Sequence, residues 1–286
     1  MAALSREQVA QFQAFGHLHL PSVFTPAEVT AMRRDMEAVC TELLGRRPTE
    51  EDHINQQPFC ELSPALTPLV ADGRILGPVE ALLGESYLWA GSTGMWGFSE
   101  EGLEDHLWHA DSGGASEGWA DDPRPALFIK AFIYLDKQTR DTGALRVLPG
   151  SHRGAYHRRL LGFNDTNTKH ERRQRQRREE GRPDGENPPL FFGTPGRDLP
   201  CHVVESNPGD LVLATPWCFH AVYGKVPPRR TIILKFLVAD IWEGELARRG
   251  SLERVLHPSL LASEDAAIRR LVDRVQAHRK RLGARL

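Results

Sequence analysis

The 286-residue sequence predicts a mainly β protein with flanking helices, in which antiparallel strands form a sandwich or a barrel. Six short segments rich in β-branched and aromatic residues follow one another between residues 87 and 238, separated by Gly, Pro and Asp turns. Amphipathic helical patterns lie outside this series, towards both ends of the chain. The glycine-rich motifs that bind nucleotides between a strand and a helix do not occur in the sequence.

Two helices are expected over residues 5–45. Ser5 and Gln8 form a capping box for the first, and Thr25 begins the second with Pro26 and Glu28 behind it. A short strand is expected between these helices. Residues 45–75 are polar and rich in proline, so we expect a loop there.

The β core is expected over residues 85–240. Its strands are predicted to begin near Tyr87 and to continue in the segments 127–135, 143–150, 202–206, 210–214 and 230–238.

A polar insert, residues 161–200, interrupts the strands. Its basic run Lys169–Arg182 is expected to be a solvated, partly helical or disordered loop. The insert stands where a lid over an active site would lie. A last helix is expected over 263–283, capped by Ser263, and we expect residues 1–286 to form a single domain.

Composition excludes several classes of protein. The net charge of −2 gives no reason to bind nucleic acid or an anionic membrane, and no apolar run is long enough to span a bilayer. Four scattered cysteines fit a reducing compartment, so we expect a cytoplasmic protein. The last residues, Ala284-Arg285-Leu286, loosely match a peroxisomal address and make that location the alternative.

The stretch HLWHADSGG contains the first candidate metal ligands. His109 and Asp111 are two residues apart at a strand end, so their side chains share a face. His220, just after the strand DLVLA, is the best third ligand. Two histidines and one carboxylate form the facial triad of non-heme Fe(II) oxygenases, which leaves positions open for cosubstrate and oxygen. His106 and His109 on a helix would instead suit zinc, but helix signals are missing, so His106 is expected beside the site or at the surface.

The motifs HADSGG, DTGALRVLPGSHRG, FHA and RRTIILKF, in this order, resemble the phytanoyl-CoA dioxygenase family. The N-terminal helix, strand and helix are similar too, so the resemblance covers about residues 5–240. It implies a double-stranded β-helix (a jelly roll or cupin-like barrel) and an Fe(II)- and 2-oxoglutarate-dependent dioxygenase that consumes O2. It also implies His109, Asp111 and His220 as the catalytic iron ligands. Related halogenases have a small residue in place of the carboxylate, so Asp111 favours oxygenation.

The resemblance further implies an arginine that binds the distal carboxylate of 2-oxoglutarate at the start of the last core strand. Arginine suits this role because its planar fork binds a carboxylate at two points. Arg229 and Arg230 follow His220 by nine and ten residues, and only one of them can face the barrel. We expect Arg229, with Arg230 as the alternative. Lys130 is expected at the barrel edge rather than on this carboxylate.

Several other residues have both a structural and a functional interpretation. His152 is expected to support a turn, and Trp96 and Trp217 to pack in the core rather than to stack on substrate. Either Ser92 or Thr93 is a candidate hydrogen-bond donor to the cosubstrate.

These observations predict an enzyme that hydroxylates an unactivated C–H bond of a small-molecule metabolite or natural-product intermediate, with succinate and CO2 as co-products. The Arg-rich insert favours an anionic substrate, and we expect a monomer or homodimer with no nucleic-acid or membrane partner. Two alternatives remain open: a catalytically silent β-barrel binding protein, and a metal-dependent barrel enzyme that does not use 2-oxoglutarate.

Overall fold

The structure is a computed structural model that describes residues 4–97, 106–111, 121–182, 189–224, 226, 228–241 and 255–283. Its α-helices within these ranges are α1 (Arg6–Phe15), α2 (Pro26–Leu44), α3 (Gly73–Leu83), α4 (Gly154–Glu179), α5 (Pro258–Leu261) and α6 (Ala266–Gly283). Its strands are β1 (His17–Leu20), β2 (Ile54–Gln56), β3 (Leu88–Trp96), β4 (His106–His109), β5 (Phe128–Tyr134), β6 (Leu145–Val147), β7 (His202–Val204), β8 (Leu211–Ala214), β9 (His220–Val222) and β10 (Arg230–Leu237).

The strands form two antiparallel sheets. The larger has six strands in the order β1-β8-β5-β10-β3-β2, and the smaller has four in the order β4-β9-β6-β7. From β3 to β10 the chain passes between the two sheets at every step except between β6 and β7, which are neighbours in the smaller sheet. This is the topology of a jelly roll. The expected mainly β fold with flanking helices is confirmed.

Three hydrophobic clusters define the layers. The largest lies between the outer face of the six-stranded sheet and α1, α2, α3 and α6. A second, which includes Phe132, Val147, Val212 and Val222, fills the space between the sheets. The third lies between the outer face of the four-stranded sheet and α4. Because residues of alternate strand positions face opposite sides of a sheet, each sheet is covered on both faces.

The N-terminal helices begin as the sequence predicts. Ser5 and Thr25 accept hydrogen bonds from the backbone N–H groups of Gln8 and Glu28, and both capping boxes are complete. The C-cap of α1, Gly16, has a φ of +79°, and a Cβ there would lie 2.6 Å from the His152 ring. Glycine is therefore required at Gly16 both by its backbone conformation and by the close approach of His152.

Two local predictions, the loop over 45–75 and the cap of the last helix, are wrong. The expected loop over 45–75 contains β2, two 3-10 helices and the start of α3, because its apolar residues are buried under the six-stranded sheet. Most of the basic run of the insert is helical, in agreement with the expectation of a partly helical segment, because α4 begins before the insert, at Gly154, and continues to Glu179. Ser263 does not cap the last helix: the Asp265 carboxylate accepts from the N–H groups of Ala267 and Ile268 instead. In the described ranges, every helix is too short or too polar to cross a bilayer.

Candidate metal and cosubstrate site

The two strands β4 and β9 bring a pair of histidines together. His109 and His220 are register partners across the antiparallel ladder, and the centroids of their rings are 4.3 Å apart. The Nδ1 atom of His109 lies 2.6 Å from the Leu107 carbonyl, and that of His220 lies 2.8 Å from the Cys218 carbonyl. These contacts fix Nδ1 as the protonated nitrogen and leave Nε2 of both rings as a free lone pair.

Asp111 completes the group. Its backbone N–H donates to the Pro216 carbonyl at 2.8 Å, which holds the turn after β4 against the turn between β8 and β9. Its two carboxylate oxygens each lie 3.8 Å from one imidazole Nε2. One ligand atom from each of His109, Asp111 and His220 lies within 4.8 Å of the others, and among the described residues no other group of three has this property. The structure therefore brings together the three residues that the sequence selects.

The protonation states suit a cation. Burial, assisted by the neighbouring positive charges, lowers the pKa of His109 well below its usual value, and burial also lowers the pKa of His220. Burial alone would raise the pKa of Asp111, but the attraction of Lys130 and the two histidines outweighs it and lowers this pKa. Two neutral imidazoles and one carboxylate anion are the forms that bind a divalent metal.

Lys130 lies inside the sandwich, and its expected place at the barrel edge is wrong. It is on the inner face of β5 with Phe132, and its ammonium donates a hydrogen bond to Asp111. Lys130, Phe132 and His220 line a small cavity between the sheets. The alternation along β5 could have placed Lys130 inwards, because Phe132 and Tyr134 share its face.

His106 lies beside the histidine pair and outside the group of three. A β-bulge lies between His106 and His109, so three residue steps on β4 pair with two residue steps on β9. The His106 and His109 rings therefore turn to the same side, with their centroids 4.0 Å apart. The residue pair is on a strand, so the helical zinc arrangement does not occur. A bulge of this kind re-aims a side chain and has no sequence signal here.

Arg229 and Arg230 point to opposite faces of the larger sheet. The Arg230 guanidinium donates two hydrogen bonds to Asp136, at 2.9 and 2.6 Å, and lies over the Trp96 ring. The Arg229 side chain is buried between the sheets, where its Nε lies 3.4 Å from the Gly143 carbonyl. Its Nη1 is buried and has no hydrogen-bond partner among the described residues. Burial lowers the pKa of Arg229, because a buried guanidinium loses hydration, and a bound anion would offset that cost.

Polar groups that the sequence did not single out surround Arg229. Thr231 shares its face of β10 and is the register partner of Tyr134, whose pKa burial raises to about 12. The Thr231 hydroxyl is buried without a hydrogen-bond partner within the described ranges, as is that of Thr93. Thr93 lies on the inner face, opposite Ile233, and is the better placed of the two proposed donors.

Ser92 is turned to the outer face. It donates to Glu61 and accepts from the N–H groups of Phe59 and Cys60, at 3.0 and 2.9 Å. Its hydroxyl holds the 3-10 helix that begins at Cys60.

The site has two ends. Gly143, the contact of Arg229, is four positions from Val147, the register partner of His220. The guanidinium and the histidine pair therefore lie towards different ends of the segment 143–147.

The other three residues that the sequence singles out, His152, Trp96 and Trp217, have structural roles. His152 is buried against Gly16, and burial lowers its pKa to about 3. Trp96 donates from its indole to the Thr49 carbonyl at 2.8 Å, and Trp217 lies in the largest hydrophobic cluster.

Comparison with known proteins gives a family and a fold. Residues 12–224 match the family model described as phytanoyl-CoA dioxygenase (PhyH). No curated protein matches the sequence.

Solved structures give the same fold. HygX from Streptomyces hygroscopicus, with nickel and 2-oxoglutarate bound, is 21% identical and aligns over 83% of this chain and 88% of its own, with a TM-score of 0.60. SnoK, a non-heme α-ketoglutarate-dependent carbocyclase from nogalamycin biosynthesis, is 22% identical over 86% and 90% of the two chains, with a TM-score of 0.56. EctD from S. alaskensis is 18% identical over 83% and 78%, with a TM-score of 0.53. These likenesses identify the two sheets as a double-stranded β-helix.

Proposed function

The chain belongs to the phytanoyl-CoA dioxygenase family of Fe(II)- and 2-oxoglutarate-dependent oxygenases, and from that premise we propose that it hydroxylates an unactivated C–H bond of a small molecule. His109, Asp111 and His220 bind Fe(II) in this proposal, and Arg229 binds the distal carboxylate of 2-oxoglutarate. The observation that carries it is the convergence of the three ligand atoms within 4.8 Å on the inner face of the smaller sheet.

The residues fit the metal and the cosubstrate. Two neutral imidazoles and a carboxylate are the donor set of non-heme Fe(II) sites. Among the residues described, the buried and unpaired Nη1 of Arg229 and hydroxyl of Thr231 supply donors for a carboxylate on the inner face of the larger sheet. A catalytically silent binding protein would require neither the metal ligands nor the carboxylate donors. A barrel enzyme that does not use 2-oxoglutarate would not require the carboxylate donors.

Iron, once bound, supplies oxidative chemistry with O2 and 2-oxoglutarate, yielding succinate and CO2. The chain's own residues bind and orient. The Nδ1 contacts of His109 and His220 hold their rings, and Arg229 fixes the cosubstrate so that it meets the metal in one orientation. Apolar side chains such as Phe132, Leu145 and Val147 line the cavity and exclude water.

The substrate is proposed to be a metabolite or a natural-product intermediate. A structure of HygX holds hygromycin B together with nickel and 2-oxoglutarate, which supports a small molecule as the substrate class. The insert 161–200 is proposed as a lid over the substrate side; its first part, most of α4, packs on the outer face of the smaller sheet. Its arginines favour an anionic substrate.

The test is succinate formation with Fe(II), 2-oxoglutarate and a panel of small metabolites. We expect Asp111→Ala to abolish turnover while far-UV circular dichroism stays unchanged. Asp240→Ala removes an exposed aspartate that pairs with Arg124 and should keep full activity.

Oxygen uptake without succinate would support the barrel enzyme that does not use 2-oxoglutarate. Failure of the wild-type chain to bind Fe(II) tightly would support the silent barrel.

A further inference from the structure

The helix α4 lies along the strand that carries His109. Its contact with β4 is made by a buried strip on an otherwise polar helix: Leu160 is fully buried and Phe163 partly so, against Trp108 and Phe219. Asn164 lies in the same strip, with only 5% of its surface exposed. A buried amide of this kind needs hydrogen-bond partners.

The Asn164 side chain binds the backbone between two proposed iron ligands. Its Oδ1 accepts a hydrogen bond of 2.6 Å from the N–H of Ala110, the residue between His109 and Asp111. The ladder between β4 and β9 ends at His109, so this N–H lies just past the last pair of the sheet. The next N–H, that of Asp111, donates to Pro216. Two hydrogen bonds from different parts of the chain thus set the turn that aims the carboxylate at the histidines.

We propose that Asn164 is a positioning residue of the metal site, and that through it the docking of α4 and the binding of the metal stabilise each other. The inference rests on the proposed function, since it takes His109 and Asp111 as metal ligands. Asn164 touches neither substrate nor metal: it acts on the backbone that presents both ligands. Because coupling between two events is reciprocal, metal binding should hold α4 more firmly on β4, as a well-placed α4 strengthens metal binding.

The contact gives the insert a role at the reaction centre. The same helix carries Asn164 and the arginines that follow it towards Glu179. A substrate that binds the insert and a metal that binds the turn then favour the same position of α4.

The test uses Co(II) as the probe and compares three variants of the full chain. Asn164→Leu keeps the volume of the side chain and removes its acceptor, whereas Asn164→Asp keeps an acceptor. Thr166→Ala, at an exposed position of the same helix, is the matched control. Co(II) affinity is measured by calorimetry and unfolding by a thermal scan without metal.

We expect Asn164→Leu to weaken Co(II) binding by about tenfold or more, the effect typical of losing a partner that orients metal ligands. Asn164→Asp should bind within about threefold of the wild type or more tightly, and Thr166→Ala should match the wild type. Wild-type affinity in Asn164→Leu, whatever its melting temperature, would overturn the proposal. Equal weakening by the Leu and Asp variants would overturn it too, since the acceptor would then not be the cause.

A second measurement needs no variant of Asn164. Hydrogen exchange of the backbone amides over residues 155–170 in the wild-type chain should slow at least severalfold when Co(II) is added. Unchanged exchange in a protein that has bound the metal would contradict the coupling. If the wild type binds Co(II) no better than Asp111→Ala does, the proposed metal site fails and not merely the role of Asn164.

Discussion

The adjacent arginines Arg229 and Arg230 allow a prediction in which stability and cosubstrate binding change separately. The perturbation is Arg229→Met, compared with Arg230→Met. Both remove a guanidinium and keep an unbranched side chain. Arg229 is buried, and its Nη1 has no hydrogen-bond partner among the described residues, whereas Arg230 binds Asp136 at two points.

The magnitude follows from what each guanidinium contacts. A hydrogen bond to a charged partner contributes about 1.5–3 kcal/mol, which corresponds to roughly 10- to 150-fold in affinity. We therefore expect Arg229→Met to raise the dissociation constant of 2-oxoglutarate by about 10- to 100-fold. The unfolding free energy of the ligand-free protein should stay level or rise, because a buried cation without a matched anion opposes folding.

Arg230→Met should lower stability and leave cosubstrate binding unchanged. It removes two hydrogen bonds to Asp136 and a contact with Trp96, while Arg33 remains 3.3 Å from the same carboxylate. A loss of about 1–3 kcal/mol of stability is expected for a pair that is largely but not wholly buried. Binding of 2-oxoglutarate should be unchanged.

The assays are calorimetry of 2-oxoglutarate with the Co(II)-loaded protein and thermal unfolding of the ligand-free protein. A weakened cosubstrate affinity in Arg230→Met, with normal affinity in Arg229→Met, would refute the assignment of the inner face. A large loss of stability in Arg229→Met would show that its guanidinium has a structural partner.

Three further predictions follow from other contacts. Lys130→Met removes a cation that competes for the proposed carboxylate ligand, so Co(II) affinity, followed by calorimetry, should tighten roughly tenfold; weaker binding would contradict this. Burial lowers the pKa of His17 to about 4 and that of His152 to about 3. Below about pH 6.5 the unfolded chain therefore binds more protons than the folded chain. The free energy of unfolding should fall by about 2 kcal/mol as the pH is lowered from 7 to 5.5, measured by denaturant titration; an unfolding free energy that does not change with pH would refute this. Gly16→Ala should lose about 1–3 kcal/mol in thermal unfolding, and more than Gly45→Ala, because both have positive φ but only Gly16 has close neighbours.

The parts of the site on regular strands could be predicted from the sequence, since period and order decide them. His109 and Asp111 are two residues apart at a strand end, so alternation places both side chains on one face. Alternation also allows only one of Arg229 and Arg230 to face inwards, whereas the choice of Arg229 comes from the family resemblance. The sequence does not predict the strand that begins at His220. The capping boxes at Ser5 and Thr25 are local in the same sense, because every atom involved lies within four residues.

The remaining features depend on contacts between distant segments. Lys130 reaches the site only because β5 and β4 lie in opposing sheets, and Asn164 only because α4 packs on β4. The bulge beside His106 is set by pairing with β9, which no local pattern specifies. At the last helix, Ser263 and Asp265 are both good caps, and the fold selects the second.

The pairing of His109 with His220 fixes the geometry of the two proposed metal ligands independently of the segments that connect the strands. Directly opposed residues of an antiparallel ladder keep Cα atoms about 4.5–5.5 Å apart whatever connects their strands. Segments between the strands can therefore lengthen, shorten or be exchanged without moving the two imidazoles. Grafting the 161–200 segment of another such enzyme, provided the amide at Asn164 is retained, should redirect the substrate preference while the same metal is bound.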